Sequence, residues 1–378
     1  MISVTENRRL RMGLVGGGPG AFIGPVHRIA AELDREIELV AGAFSSDASR
    51  SLEAGAGYRI DPSRAYADVE TLIAAERLRL DGVDFLAIVT PNHLHLPAAR
   101  LALESGLSVM SDKPATATLG QARELAGIVS DTGGHYALSY TYTGYPMVRQ
   151  ARALVAEGAL GRVTKVVVEY LQGWMAEPIE RDGNKQASWR VDPQKAGLGG
   201  CIGDIGVHAF NLAEFVTGSR VKAMASDLGT VVADRVLDDD CTLLLRFENE
   251  ARGLLLASQI ATGERNGLSL RIYGDKAALL WRQEEPDRLM VTGLDGRSEI
   301  QWGGGTALGP DARSATRLPA GHPEGYLEAF GTLYRDFAVV LRGGEAPLLP
   351  GIAEGVRSMA FVDLAVAANG RGWAALDV

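Results

Sequence analysis

Short apolar runs alternate with amphipathic segments through the first third of the chain. The runs have the length of strands, and most are followed by a segment whose apolar positions recur with helical spacing. Strands are predicted at 11–15, 37–43, 83–90, 108–111 and 136–139. Helices are predicted at 25–33, 48–54, 95–105 and 119–131. This alternation is typical of a parallel sheet covered by helices, so the sequence predicts an α/β unit here.

Near residue 140 the pattern changes to longer runs in which apolar and polar positions alternate. Alternation with period two is expected of a mixed or antiparallel sheet with one covered face. Strands are predicted at 164–171, 221–228, 240–247, 251–259, 268–273 and 277–281. Helices are predicted at 147–157, 201–216, 324–341 and 352–368, with loops at 302–309 and 346–351. The predicted organisation is two domains, 9–139 and 140–378.

Composition and charge narrow the class of protein. The chain has 378 residues, of which 46% are apolar, enough for two cores. No segment approaches the ~20 uninterrupted apolar residues that cross a bilayer, and the first nine residues lack an apolar signal stretch. Only Cys201 and Cys241 are present, which predicts no disulfide framework and suits a reducing cytoplasm. The net charge of −9 argues against a nucleic-acid partner. We expect a cytoplasmic protein without a membrane, nucleic-acid or metal partner.

A glycine run follows the first predicted strand. Gly16 and Gly18 stand where a Rossmann unit turns from strand to helix, and where the pyrophosphate of a dinucleotide meets helical N–H groups. A proline at position 25 suits the first turn of that helix, so residues before it are predicted to form an enlarged loop over the phosphates. The predicted loop contacts are Pro19, Ala21, Phe22 and Ile23. A plain glycine-rich turn is the alternative, and the flanking strand and helix favour dinucleotide binding.

The end of the second strand bears on the choice of cofactor. A carboxylate that binds the adenosine ribose is usual at this place, but the segment 43–47 has Ser45 there, and Asp47 comes late. Ser45 and Arg50 offer a hydroxyl and a guanidinium for a 2′-phosphate. A solvated Arg50 on a helix face is an equally good interpretation, so both NAD and NADP stay open.

Two later segments lie at the ends of predicted strands, where ligands bind in open α/β sheets. Asn92 is placed to bind ribose or nicotinamide, and His95 either joins it or only caps the next helix. Lys113, followed by a proline, is placed to reach both the nicotinamide ribose and a substrate hydroxyl; a surface lysine is the alternative. The predicted cofactor contacts here are Thr90, Pro91, Asn92, His95, Asp112 and Lys113.

The second informative stretch is GGCIGDIGVH at 199–208. Asp204 and His208 are four residues apart, so on a helix they share a face. Hydride transfer from an alcohol needs a group that accepts the hydroxyl proton, and histidine suits that work near neutral pH. A helix-capping Asp204 with a core His208 is the competing interpretation, and spacing alone slightly favours it.

Substrate contacts are predicted from aromatic and basic residues near these segments. Trp189 and Arg190 can form a platform and a hydrogen-bonding fork over a sugar ring, although a domain-interface anchor is an equal interpretation for Trp189. Tyr142 lies at the domain crossover and either lines the cleft or only packs. His322 precedes a helix, where a loop or cap role is favoured over catalysis.

Taken together, these segments resemble the Gfo/Idh/MocA oxidoreductase family. The resemblance covers nearly the whole chain and rests on GGG at 16–18, TPNHLH at 90–95, DKP at 112–114 and the stretch 200–208. It implies an N-terminal Rossmann domain with a doubly wound parallel sheet and a C-terminal α/β domain with a large open, mainly antiparallel sheet. That sheet is implied to mediate a homodimer or homotetramer.

The resemblance also implies that Lys113, Asp204 and His208 act together, with His208 as general base or acid, Lys113 orienting the substrate hydroxyl and Asp204 holding the substrate or tuning the pair. The chain departs from the family pattern in a longer glycine loop, and at Asp112, which replaces the usual Glu. It also has Asn211 where Asp is usual, and Tyr142 where many relatives have Arg.

The function expected from the sequence is an NAD(P)-dependent oxidoreductase. Its substrate is predicted to be a secondary ring hydroxyl, or the matching ketone, of a sugar, glycoside or cyclitol. Two alternatives stay open: a reductase of a flatter, non-sugar substrate of the dihydrodiol or biliverdin kind, and a non-catalytic dinucleotide sensor.

Overall fold

The structure, a computed structural model, describes residues 8–378. The prediction that no signal segment is present also depends on residues 1–7, which lie outside this range. The described chain forms two compact units. The first contains the residues up to Ser139 together with Phe330–Val356, and the second contains Tyr140–Ala329 together with Arg357–Val378.

The first unit is built on a five-stranded sheet in which every pair is parallel, in the order β2-β1-β3-β4-β5. Its strands are β1 (Leu10–Gly16), β2 (Ile37–Ala43), β3 (Phe85–Val89), β4 (Ser108–Ser111) and β5 (Tyr136–Leu138). Its connecting helices are α1 (Ile23–Glu32), α2 (Ala48–Gly57), α3 (Val69–Glu76), α4 (His95–Glu104) and α5 (Leu119–Thr132). Every residue of β3 is buried, as expected of a strand covered on both faces. Strand order reverses beside β1, which places the switch point of the fold between β1 and β3.

One segment groups differently from the predicted division at residue 139. Residues 330–356 come from the expected C-terminal domain, yet they belong to the first unit. Phe337 packs edge-on against Phe85 with ring centroids 5.3 Å apart, and Arg342 forms an ion pair with Glu36 at 2.6 Å. Gly351 forms a bridge with Ala137 beside β5. These contacts attach the segment to the parallel sheet.

The second unit is built on a nine-stranded sheet in the order β13-β12-β11-β10-β6-β9-β8-β7-β14. Neighbouring strands are antiparallel except for the central pair of β6 and β9, which is parallel. The strands are β6 (Val163–Leu171), β7 (Val221–Gly229), β8 (Asp240–Phe247), β9 (Arg252–Ser258), β10 (Gly267–Gly274), β11 (Ala277–Arg282), β12 (Arg288–Gly293), β13 (Ser298–Trp302) and β14 (Ala374–Ala375).

Helices complete the second unit. Those that begin in it are α6 (Pro146–Ala156), α7 (Lys185–Arg190), α8 (Pro193–Ala196), α9 (Val207–Thr217), α10 (Pro310–Ala315) and α11 (Tyr326–Leu341); α12 is Ile352–Ala367. Helices α6 and α9 pack on the sheet. Phe210 of α9 stacks on Phe361 of α12 with centroids 4.1 Å apart. The parallel sheet and the large, mainly antiparallel sheet confirm the predicted α/β fold class.

Three local predictions need correction. The first helix begins at Ile23, not at residue 25, so Ile23 belongs to α1 rather than to the loop. Residues 202–206, predicted as α-helix, form a π-helical turn that leads into α9; glycines at 203 and 206 disfavour a regular α-helix there. The predicted elements also omit α3, α7, α8, α10, β12, β13 and β14, each of eight residues or fewer.

Candidate active site

The first unit presents a glycine loop (17–22) between β1 and α1. Gly16 and Gly17 adopt φ of +92° and +76°, a region that residues with a side chain rarely enter. A Cβ on Gly18 would lie 2.6 Å from the carbonyl oxygen of Phe44. A Cβ on Gly24 would lie 2.5 Å from Cα of Gly17, so helix and loop approach each other closely.

The loop has the features that a pyrophosphate needs. Phe22, the N-cap residue of α1, makes no side-chain hydrogen bond to the first N–H groups of the helix, the groups that bind phosphates in such folds. Pro19 and Ala21 are half-buried in the loop, and Phe22 is 63% exposed. A backbone cradle that side chains would fill, next to an uncapped helix, fits a dinucleotide phosphate.

The end of β2 carries the residues predicted to select NAD or NADP. Ser45 is half-buried, and its Oγ accepts a hydrogen bond of 3.2 Å from the backbone N of Asp47. Asp47 caps α2 by accepting from the N–H of Arg50 at 2.9 Å. Asp47, the acidic residue that comes two positions too late for a ribose contact, therefore serves as the N-cap of α2. The Arg50 side chain is exposed.

The segment after β3 is tied to the segment after β4 by a histidine. His95 is 1% exposed. Its Nδ1 lies 2.7 Å from the carbonyl oxygen of Pro114, and its Nε2 lies 2.8 Å from that of Thr90. Burial lowers the pKa of His95, which favours the neutral ring. A neutral ring carries one N–H, so His95 donates a hydrogen bond to one of these two carbonyl oxygens and lies beside the other. Pro91 and the buried Asn92 lie between Thr90 and His95 in the sequence.

Asp112 lies in a polar network beneath Lys113. Its Oδ1 accepts from Ser139 Oγ at 2.7 Å and from the backbone N of Lys113 at 2.9 Å. His27 Nε2 lies 3.8 Å from the same oxygen, and His27 Nδ1 lies 2.7 Å from the hydroxyl of Tyr334. Burial alone raises the pKa of Asp112, but the nearby His27 and Lys113 and the hydrogen bond from Ser139 lower it below the ordinary value. Asp112 is thus an ionised anchor for the backbone of Lys113.

In the second unit, a carboxylate holds the start of the turn that carries Asp204. The two oxygens of Asp238 accept from the backbone N of Gly200 and of Ile202, both at 2.7 Å. Cys201 N donates to the carbonyl oxygen of Asp238 at 2.8 Å. Burial raises the pKa of Asp238 to about 6. Cys201 and Cys241, both buried and free, place their sulfurs near this carboxylate.

Asp204 accepts side-chain hydrogen bonds from two separate elements. Arg190 Nε on α7 donates to Oδ2 at 2.8 Å, and Gln259 Nε2 just after β9 donates to the same oxygen at 2.9 Å. Arg190 also donates through Nη1 to the carbonyl and side chain of Gln186. Its guanidinium lies 4.3 Å from the ring centroid of Trp189. The backbone N–H groups of Gly200 and Ile202, at the start of this turn, donate to Asp238 rather than to Asp204.

His208 is packed among aromatic rings. It is 9% exposed, and its ring meets Tyr142, Tyr140 and Tyr170 edge-on at centroid distances of 4.9, 5.7 and 6.2 Å. The hydroxyls of Tyr142 and Tyr170 are hydrogen-bonded to each other, and Tyr170 donates to Asn266 at 2.7 Å. Burial raises the pKa of both phenols, so they stay neutral around His208.

The structure brings the predicted residues together within each unit. Gly16, Gly18, Thr90, Asp112 and Lys113 gather at the carboxyl ends of β1, β3 and β4. In the second unit the contacts above connect Arg190 with Asp204, and Tyr142 with His208. The 3% exposure of Tyr142 shows a mainly packed side chain. The meeting of Lys113 with Asp204 and His208 stays a prediction.

Two further positions discussed in the sequence analysis, Asn211 and His322, lie outside these contacts. Asn211 is buried on α9, with 8% exposure. His322 is exposed in a loop, where its Nδ1 lies 3.1 Å from the carbonyl oxygen of Pro319.

Sequence analysis missed His27, Tyr334, Asp238 and Gln259. A weak signal existed for His27, since it is a polar residue on the apolar face of α1. Within residues 8–378, no helix combines the length and apolar character that crossing a membrane requires.

Two family models match the chain. One, described as an oxidoreductase family with an NAD-binding Rossmann fold, matches residues 10–140. The other, the GFO/IDH/MocA C-terminal domain, matches residues 148–280.

Individual proteins match over most of their lengths. The uncharacterized oxidoreductase YfiI of Bacillus subtilis (strain 168) is 31% identical over 89% of this chain and 86% of its own. The levoglucosan dehydrogenase of Pseudarthrobacter phenanthrenivorans is 29% identical over 75% of this chain and 76% of its own. The crystal structure of an inositol dehydrogenase homolog from Azotobacter vinelandii with NAD+ has a TM-score of 0.93, with 34% identity over 98% of each chain. Its complex with NADH and myo-inositol has a TM-score of 0.90, with 33% identity over 98% of each chain.

Proposed function

Because the chain belongs to the Gfo/Idh/MocA family of NAD(P)-dependent oxidoreductases, we propose that it oxidises a secondary ring hydroxyl of a sugar, glycoside or cyclitol. The reverse reaction on the matching ketone is the same chemistry. The observation that carries the proposal is the likeness, over 98% of both chains, to a structure that holds NADH and myo-inositol. The similarity to a levoglucosan dehydrogenase points to the same substrate class, a polyhydroxylated ring.

In this proposal the two units divide the work. Residues 9–139, with the added segment 330–356, bind the cofactor, and the remainder of 140–378 supplies the substrate contacts. The glycine loop and the N-terminus of α1 would hold the pyrophosphate, while Asn92 and Lys113 would contact the nicotinamide end. When bound, NAD(P)+ supplies the acceptor for the hydride.

The proton is the task of the chain's own residues. We assign His208 as the group that takes the hydroxyl proton, since a neutral imidazole is a suitable base near pH 7. The ammonium of Lys113 would orient the hydroxyl and favour its deprotonation. Asp204 would hold a neighbouring substrate hydroxyl or tune His208. The proton is shared among coupled groups, so the pH–rate profile reports the set rather than one residue.

The assembly and compartment belong to the same proposal. Large apolar side chains on the second sheet are exposed, among them Leu244, Tyr273 and Trp302. A second copy of the chain packed on this sheet would cover them and give a homodimer or homotetramer. Light scattering with size-exclusion chromatography tests this, and a monomer at micromolar concentration contradicts it. We expect the protein in the cytoplasm, where its two cysteines stay reduced.

The experiment that tests the activity is a cofactor-reduction assay. The purified chain is incubated with NAD+ or NADP+ and a panel of inositols, glucosides, anhydrosugars and aldoses, while the absorbance of reduced nicotinamide is followed. We expect turnover with at least one cyclic polyol. Tight cofactor binding without turnover across the panel would contradict the proposal and favour a dinucleotide sensor.

A further inference from the structure

We propose that Gln259 is a positioning residue that holds the carboxylate of Asp204 in its working orientation. The inference rests on the proposed function, in which Asp204 contacts substrate or tunes His208. Gln259 is 3% exposed, and its Nε2 donates to Asp204 Oδ2 at 2.9 Å. A buried amide aimed at a carboxylate oxygen is a directional contact that solvent does not replace.

The backbone around Gln259 is fixed on both sides. Its N–H donates to the carbonyl oxygen of Asp239 at 2.9 Å, and its own carbonyl accepts from Met175 N at 3.0 Å. The residue directly follows β9, one of the two central parallel strands of the second sheet. The donor therefore comes from a rigid part of the unit rather than from a loose loop.

A second donor reaches the same oxygen from another direction. Arg190 Nε lies 2.8 Å from Asp204 Oδ2, and the guanidinium is itself held by Gln186 and by the ring of Trp189. Arg190 supplies positive charge together with one directional N–H, and Gln259 supplies a second directional N–H from another element. The two donors together define where Oδ2 lies.

Arg190 therefore acts on Asp204, in addition to any contact with substrate. Asp204 has an electrostatic effect on Tyr142, Tyr170 and Cys201, and His208 lies four residues further along the same segment. Burial raises the pKa of the two phenols and of the thiol, so these three groups are neutral near pH 7. The hydrogen bonds from Arg190 and Gln259 favour the ionised form of Asp204.

The test compares Gln259→Leu with Gln150→Leu. Gln150 is a suitable control because it is also buried and hydrogen-bonded through its side chain: its Nε2 donates to Gln301 at 3.0 Å, and its Oε1 accepts from the backbone N of Gly309 at 2.8 Å. For Gln259→Leu we expect kcat to fall about 10- to 100-fold, with the KM for the cofactor changed little. The acid limb of its pH–rate profile should move to higher pH, because the ionised carboxylate has lost a donor. Gln150→Leu should lower Tm without moving that profile.

Two further measurements make the result decisive. Gln259→Glu keeps the size of the side chain but places a second carboxyl beside Asp204, so it should move the acid limb further than Gln259→Leu does. A double-mutant cycle of Gln259→Leu and Asp204→Asn should give Tm shifts that are not additive.

An active Gln259→Leu enzyme with an unchanged pH profile, or additive Tm shifts, overturns the inference and leaves the proposed function intact. A wild-type protein that turns over no member of the sugar panel overturns the proposed function instead.

Discussion

In the first unit the predicted cofactor residues lie at the ends of adjacent parallel strands, whereas in the second unit the predicted catalytic Asp204 is held by side chains from separate elements. The glycine loop is shaped by backbone: positive φ at Gly16 and Gly17, and a close approach of Gly18 to Phe44. The position of the Asp204 carboxylate is set by side chains, because Arg190 on α7 and Gln259 just after β9 both donate hydrogen bonds to it. A binding surface formed by backbone is disrupted when a larger side chain replaces glycine. A site formed by side-chain contacts is disrupted when a partner residue far away in the sequence is replaced.

The largest expected effect comes from removing the imidazole of His208 in the second unit. We expect His208→Ala to lower kcat by about 10²- to 10⁴-fold, the range for loss of a general acid or base. The dissociation constant of the cofactor, measured by fluorescence titration, should change little, because the glycine loop is untouched. Lys113→Ala, which removes the proposed partner group from the first unit, should also lower kcat strongly, with cofactor affinity less affected. Unchanged turnover in either variant removes that residue from the mechanism.

The next prediction concerns the pH dependence of stability that arises from Asp238, whose carboxylate accepts hydrogen bonds at the start of the turn that carries Asp204. Burial raises the pKa of Asp238 to about 6 from an ordinary 3.8, so the folded state binds this proton more tightly than the unfolded state does. Its contribution to the free energy of unfolding is therefore full below pH 4 and is lost as the pH rises through about 6. The loss amounts to at most about 3 kcal/mol.

Urea denaturation of wild type and Asp238→Asn between pH 4 and 7 measures this contribution. The free energy of unfolding of the wild type should decrease relative to that of the variant over this interval and run parallel to it above pH 7. Parallel curves throughout would show that the carboxyl titrates at its ordinary pKa.

The first unit has its own test in Gly18→Ala. The added Cβ would lie 2.6 Å from the carbonyl oxygen of Phe44, so the end of β2 or the loop must move. We expect a stability cost of about 1–3 kcal/mol and about tenfold weaker cofactor binding, measured by titration. Gly20→Ala is the matched control, because it adds the same methyl group in the same loop at a position where no atom lies within 4 Å of the added Cβ. Its cost arises from φ of +78° alone. Equal cofactor affinity in wild type and Gly18→Ala would show that the close approach does not shape the site.

The difference between local backbone signals and contacts of distant side chains also explains which features could be predicted from the sequence. The glycine loop, the strand ends at Thr90 and Lys113, and the two-sheet fold follow from local signals, namely glycine runs, apolar runs and their periods. The family resemblance and the NAD(P)-dependent oxidoreductase class, which the comparisons confirm, depend on those same segments.

The missed residues depend on contacts between distant parts of the chain. His27 lies 307 positions from Tyr334, and Gln259 lies 55 positions from Asp204. A histidine or glutamine in an apolar segment does not identify its partner. The π turn at 202–206 contains a local signal, the glycines at 203 and 206, but its contacts with Asp238, just before β8, depend on a distant part of the chain. The segment 330–356 groups with the first unit through packing that no linear pattern shows.

The smallest expected effect concerns the choice between NAD and NADP. Ser45 is half-buried after β2, where the adenosine ribose is expected. Ser45→Asp should repel a 2′-phosphate and accept ribose hydroxyls, so the ratio of NADP to NAD affinity should fall about tenfold, less at high salt. Ser46→Asp adds the same charge at the adjacent, exposed position and is the matched control. Equal ratios in the two variants would show only a general charge effect, and an unchanged ratio in Ser45→Asp would place Ser45 away from the ribose. A ratio lowered only in Ser45→Asp would show that a side chain, rather than backbone, sets cofactor preference in the first unit.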